Sequence, residues 1–221
     1  MASKAHHFAK GLVGGCALLL GVSLAGCAAP QFTYVANSGA STYFKVPYAW
    51  HKISDSSLSS ELKAETGSTG SGWTVAYEAG HKPTAGDFLS FGTTQPFVFA
   101  EVGQLSSTAS SALSYDSLRD FFLPVTSTAR QNATTQGFPL TGFTQIRDQV
   151  LTLGQGVHGV RETFDYTFTG GTADTFDEVA LTNADQTSVY LLVLHCTTTC
   201  YSHDQTQIND VMSSFTIRSQ Q

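Results

Sequence analysis

Charge is scarce in this 221-residue chain: Asp, Glu, Lys and Arg together make up 13% of it. Ser, Thr, Gln and Gly take their place, which describes a polar surface and not a reactive site. Basic residues are scarcest, 11 against 17 acids, for a net charge of −6. The chain therefore lacks the basic footprint that nucleic-acid binding requires, and its overall charge would not hold it on an anionic membrane. Long apolar runs are missing too. The uncharged stretch at residues 11–25 is about 15 residues long, short of the ~20 that span a bilayer, and several of them are Gly. Catalytic signatures are incomplete. Ser60-Glu61-Leu62-Lys63 fits S-x-x-K, but the S-D-N and K-T-G tripeptides that would complete such a site are absent. The Gly/Ser stretch at 67–72 lacks the Gly-Lys-Ser/Thr ending that brings charge to phosphate, so it reads as a flexible loop. No internal repeat occurs.

The N-terminus is organised. Lys4 and Lys10 give a basic start, the uncharged stretch follows with a leucine run at 18–20, and it ends in Leu24-Ala25-Gly26-Cys27. That ending resembles the bacterial lipobox: an aliphatic residue, two small residues, then cysteine. The resemblance implies cleavage between Gly26 and Cys27, and a diacylglyceryl group on the Cys27 thiol. Residues 1–26 are then a lipoprotein signal peptide. Two acyl chains anchor a protein stably where one is marginal. An ordinary secretory signal and an uncleaved span are the competing readings. The position of LAGC at the end of the apolar region favours the lipoprotein.

Removing residues 1–26 leaves 195 residues with 9 Lys and Arg against 17 acids, enough for one domain with a real core. Cys16 leaves with the signal peptide and Cys27 takes lipid, so Cys196 and Cys200 remain as a pair. In an oxidising compartment such a pair bonds. A loop this short contributes only about 2 kcal/mol, so the bridge pins a corner and does not hold the fold.

Residues 27–40, with Pro30 and no charge, read as a short lipidated tether, and residues 41–221 as the globular domain. Strands are expected at 41–46, ended by Pro47, then at 73–78 and 97–102. Residues 54–65 give a weak helical signal from Leu58 and Leu62. Residues 114–123 read as a helix capped by Ser114, and 125–137 as irregular. Two hairpins are expected, 143–153 with 157–168 around Gly154-Gln155-Gly156, and 176–181 with 187–195. Residues 189–194 are apolar on both faces and belong at the centre of the sheet. A last helix at 202–213, capped by Ser202, carries Ile208, Val211, Met212 and Phe215 on one face. A short strand at 215–218 closes the chain. The sum is an α+β fold, an antiparallel sheet flanked by helices.

Tyr43-Phe44-Lys45-Val46-Pro47 followed by Trp50 resembles the f-x-vP-x-gW opening of PsbP-like domains. The segment LVLHCTTTCYSHDQTQINDVMSSFTIR resembles the C-termini of actinobacterial lipoproteins of the LpqN type. The likeness spans most of residues 41–218 and is strongest at its two ends. It implies a PsbP-like αβα sandwich and a non-enzymatic binding or assembly module in the cell envelope. The partners implied are the membrane, through diacylglyceryl-Cys27, and an envelope protein. No cofactor is implied.

Three constellations could carry chemistry. His195, Cys196, Cys200 and His203 could form a tetrahedral zinc site. Export would oxidise the thiols first, and His195 and Cys196, adjacent on a strand, point to opposite faces. The disulfide is therefore favoured over metal or free thiols. His158 and Glu162 share one strand face and could act as an acid/base pair, or form a partly exposed polar patch near a sheet edge. Asn132-Ala133-Thr134 fits a glycosylation sequon and suggests an exposed loop. An envelope adaptor leads these readings, ahead of a carrier for lipid or another small apolar ligand, with a cell-wall enzyme last.

Overall fold

Ten strands and five α-helices follow one another among the described residues of the computed structural model, which are 30–66, 72–80, 83–168 and 170–218. The strands are β1 (Phe32–Asn37), β2 (Thr42–Pro47), β3 (His51–Lys52), β4 (Trp73–Glu78), β5 (Phe97–Gln104), β6 (Leu140–Thr152), β7 (His158–Phe168), β8 (Ala173–Thr182), β9 (Ser188–Thr197) and β10 (Thr216–Ile217). The helices are α1 (Asp55–Thr66), α2 (Ser107–Ala112), α3 (Tyr115–Arg119), α4 (Ser127–Thr135) and α5 (Thr198–Met212). Seven strands form one antiparallel sheet in the order β3-β4-β5-β9-β8-β7-β6, and three form a second in the order β1-β2-β10.

The order follows burial. Every residue of β9 is buried, and β9 is the fourth of the seven strands. Its apolar run has packing partners on both faces, as the sequence suggests for residues 189–194. On one face lie α5 and the small sheet, where Phe44, Val46, Leu192, Leu194, Ile208, Val211 and Met212 share a core. On the other lie α1 and α3, where Leu58, Phe97, Phe99, Leu118, Phe164, Phe176 and Val193 share a second core. Strand β4 is buried on both faces from Val75 to Glu78. The hairpin of β6 and β7 turns through Gly154–Gly156, where Gln155 and Gly156 take positive φ (62° and 77°) to reverse the chain.

Four boundaries differ from the sequence reading. The segment expected as tether contains β1: each of its residues pairs with β2, and Val35 sits opposite Phe44 with 7% exposure. Its single inward apolar side chain leaves no clear alternation to read. The helix expected at 114–123 is one short piece, α3. Ser114 caps it reciprocally with Ser117, and it stops at Asp120. There the Asp120 carboxylate accepts the N–H groups of Val125 (2.8 Å) and Thr126 (2.7 Å), which turns the chain away. The region expected as irregular holds α4, started by Thr126, whose hydroxyl accepts the Ala129 N–H at 3.2 Å. Asn132 is exposed on this helix, not in a loop. The last helix begins at Thr198, because Thr197 and not Ser202 caps it, accepting the Cys200 N–H at 3.3 Å.

Residues 1–26, expected as a signal peptide, and Cys27 lie outside the described residues, as does the Gly/Ser stretch apart from Gly72. Among the described residues, no helix is long and apolar enough to cross a membrane.

Candidate functional site

The densest chemistry lies under α3, on the sheet face it covers. Glu162 of β7 and Glu178 of β8 sit directly opposite each other across the ladder, so their side chains share a face. Both are fully buried. Arg119, at the end of α3, donates to Glu162 (3.2 Å), to Asp148 of β6 (3.0 Å) and to Asp116 (3.0 Å). Gln145 donates to the second Glu162 oxygen at 3.0 Å.

One cation thus faces several carboxyls, and the burial decides their charge. Desolvation pushes Glu162 up to about 8, with Asp148 adding to the rise and Arg119 and Gln145 opposing it. Burial pushes Glu178 well above the ordinary carboxylate range, the charge of Glu162 pushes it further, and the Phe122 backbone offsets this only in part. No side-chain donor reaches either Glu178 oxygen. A carboxyl in this setting is neutral at physiological pH, because an unpaired buried charge is far costlier than an unpaired neutral acid. For Asp148, burial pulls upward, but the hydrogen bonds from Arg119 and Glu162 win and hold it below its usual value.

A carboxyl near 8 could in principle exchange protons in catalysis. Here it has no access to a substrate, since Glu162 is sealed by α3 and by neighbouring strands. His158 does not join it. It stands four residues earlier on β7, about 13 Å away along an extended strand, with Nδ1 2.9 Å from the Gly156 carbonyl and its ring edge-on to Tyr115. The patch expected at these two residues is therefore split: His158 is partly exposed and Glu162 is interior.

A second polar network lies on the opposite face, where it latches α5 to the sheet. The Arg161 guanidinium clasps Asp177 through two hydrogen bonds (2.9 and 2.7 Å) and reaches Asn209 of α5 (3.2 Å). The Tyr201 hydroxyl donates to Asp177 at 2.8 Å. Burial, then the Asp177 charge, raise the Tyr201 phenol far above its usual range. A third cluster closes one sheet end. Both Asp174 oxygens accept the Gly92 N–H (3.0 and 2.9 Å), and the His195 ring stacks on Phe176 with centroids 5.1 Å apart.

Cys196 and Cys200 are placed at disulfide-bonding distance, with Cα atoms 5.9 Å apart. Cys196 belongs to the α5-side core, while His195 packs on the other face against Phe97 and Phe176. His203 is exposed and bonded to Asp204 at 2.9 Å. The four residues of the zinc alternative are thus not brought together. The Ser60 hydroxyl donates to the Ser56 carbonyl at 2.9 Å, an ordinary helix back-bond, and not to Lys63.

The interior is filled by aromatic rings. Phe164, Phe176 and His195 stack in a row across three strands. The clefts are superficial. One, about 780 Å³, is lined by Ser54, Ser57, Ser60, Glu61 and Thr84 between α1 and the turn at 83–86. Another, about 460 Å³, lies between the two sheets beside Ser41, Gln155, Tyr190 and Arg218.

The sequence reading missed Arg119, Asp148, Asp177 and Glu178. A signal existed for the last two: acids at adjacent positions within the strand pattern FDEVALT must bury one charge on each face.

No protein-family profile matches the chain, and no curated protein does. Solved structures do. The cyanobacterial PsbP protein CyanoP from Synechocystis sp. PCC 6803 superposes with a TM-score of 0.50 at 12% identity, over 93% of this chain and 99% of that one. The domain has a PsbP-like fold. PA94 from Pseudomonas aeruginosa, a protein of unknown function, gives 0.43 at 15% identity, over 86% and 100% of the two chains. The Saccharomyces cerevisiae Ran-binding protein Mog1p gives 0.45 at 8% identity, over 84% and 95%. At those scores the last two add nothing to the argument.

Proposed function

We propose that this protein is a lipoprotein of the LpqN type, cut before Cys27, lipidated there, and held at the outer face of the plasma membrane as a non-enzymatic adaptor for another envelope protein. The observation that carries the adaptor reading is the sealing of its reactive groups. Two carboxyls are pushed toward neutrality by burial, Glu162 to about 8 and Glu78 to about 7, and both are interior: Glu162 is fully buried beneath Arg119 and Glu78 is 7% exposed. A fold similarity at 12% identity supports the architecture and leaves the activity to the site. The anchor rests on LAGC at residues 24–27, at the end of the uncharged stretch.

A carrier would need an apolar cavity, and the core on both sheet faces is closed by Phe97, Phe99, Phe164, Phe176 and Leu192. Photo-cross-linking in living cells tests the adaptor. Recovery of one envelope protein with the wild type, and its loss when Cys27→Ser prevents anchoring, is the expected result. Co-purified lipid in native mass spectrometry, with no protein recovered, would instead establish the carrier.

A further inference from the structure

The small sheet has two unlike faces. Val35, Phe44 and Val46 point inward to the core. Opposite residues of an antiparallel pair share a face, so the pairs Phe32–Pro47, Tyr34–Lys45 and Ala36–Tyr43 share the other. Tyr34 is 80% exposed, and Tyr48, next in the chain after β2, is 61% exposed. The cations on this face lie against its rings. The Lys45 ammonium sits 4.0 Å from the centre of the Phe32 ring, and the Arg218 guanidinium 5.3 Å from that of Tyr43. A shallow cleft of about 250 Å³ runs between Tyr34, Tyr43, Lys45 and Arg218.

Charge is segregated to match. All 17 acids fall between Asp55 and Asp210. The segments that build the small sheet, before and after that interval, contain Lys45 and, just after β10, Arg218, and no acid. An otherwise acidic domain thus has a cationic, tyrosine-bearing face here. Tyrosine rings and snorkelling cations are the groups that suit a bilayer interface.

The geometry points to an anionic lipid surface as the occupant of this face; we propose that the small sheet docks on the membrane to which Cys27 ties it. This rests on the anchor reading above. Three peptide units separate Cys27 from Pro30, a reach of at most about 11 Å. The chain then enters β1 directly, and the Tyr48 N–H donates to the Gln31 carbonyl at 2.9 Å, which places Tyr48 beside the point of entry. A tether of that reach holds the start of this face next to the headgroups. A second copy of the chain is a poorer occupant, since two such faces would oppose cation to cation.

The test uses the full chain, purified with its lipid and reconstituted in vesicles one-third phosphatidylglycerol with brominated acyl chains. Tyr34→Trp places a reporter on the face, and Ile146→Trp places one on exposed β6 at the far sheet edge. Native Trp50 and Trp73 give a constant background. Emission from Tyr34→Trp is expected to be quenched at least twofold and that from Ile146→Trp to be unchanged. Replacing Lys45 and Arg218 by Gln, or raising the salt, should remove most of the quenching, since each cation near such a surface is worth about fivefold. Equal quenching at the two positions, in protein that carries its lipid and has a native circular dichroism spectrum, would overturn the docking alone. A chain that acquires no lipid on Cys27 would overturn the anchor, and the docking with it.

Discussion

The two sheets of this domain handle polar groups in opposite ways. The seven-stranded sheet buries them: Glu162, Asp174, Asp177, Glu178 and His195 all have 1% exposure or less. The three-stranded sheet presents Val35, Phe44 and Val46 to the core, and carries its charge outward on Lys45 and beside Arg218. Buried charge must be paired, neutralised or shed. The large sheet does the first at Arg161–Asp177 and the second at Glu178. Its polar residues therefore act on stability, while those of the small sheet are free to act on a surface.

The sharpest way to break this contrast is Asp177→Ala. It leaves the buried Arg161 charge facing only the neutral Asn209 and removes the acceptor of the Tyr201 hydroxyl, and urea unfolding should show a loss of about 3–5 kcal/mol. A loss under 1 kcal/mol would mean that the latch contributes little.

Glu162 and Glu178 predict a second effect, on pH. The folded state holds their protons more tightly than the unfolded state, whose carboxyls keep the ordinary value near 4.5. Their stabilising contribution is complete below pH 4.5 and is lost as the pH rises, for Glu162 through about 8. Glu178→Leu removes one such group from an apolar core. It should stabilise the domain by about 1–3 kcal/mol at pH 8 and flatten the pH profile measured by thermal unfolding, since replacing a buried ionisable group by a packed apolar one is neutral or favourable.

A smaller effect is expected at the corner between β9 and α5. Cys200→Ser should cost about 2 kcal/mol under oxidising conditions, the chain-entropy value for a loop this short, and nothing further should be lost on adding reductant. The smallest concerns the outer face: Tyr34→Ala should change stability by less than about 0.5 kcal/mol, as exposed positions do.

Legibility in the sequence follows the same division. Strands β7, β8 and β9 and the stripe of α5 were readable, because burial on one face or both leaves a period of two, a continuous run, or a 3.6-residue repeat. Strand β1 was not, since only Val35 points inward. Helices α2 and α4 were missed because neither has a fully buried residue; the caps Ser106 and Thr126 were their only marks. The separation of Cys196 from His195 followed from strand alternation. The Glu162 network was out of reach, as it joins residues 43 and 17 positions apart through Arg119 and Gln145. Register across the sheet, which no local pattern encodes, decides that meeting.

The central claim is the address written at residues 24–27. Mass spectrometry of the protein extracted from the membrane fraction reads it directly. The account predicts a mature chain that begins at Cys27 and carries acyl mass on that residue, both lost in Cys27→Ser. A wild-type chain that retains residues 1–26, or that is cut elsewhere and bears no lipid, would contradict it.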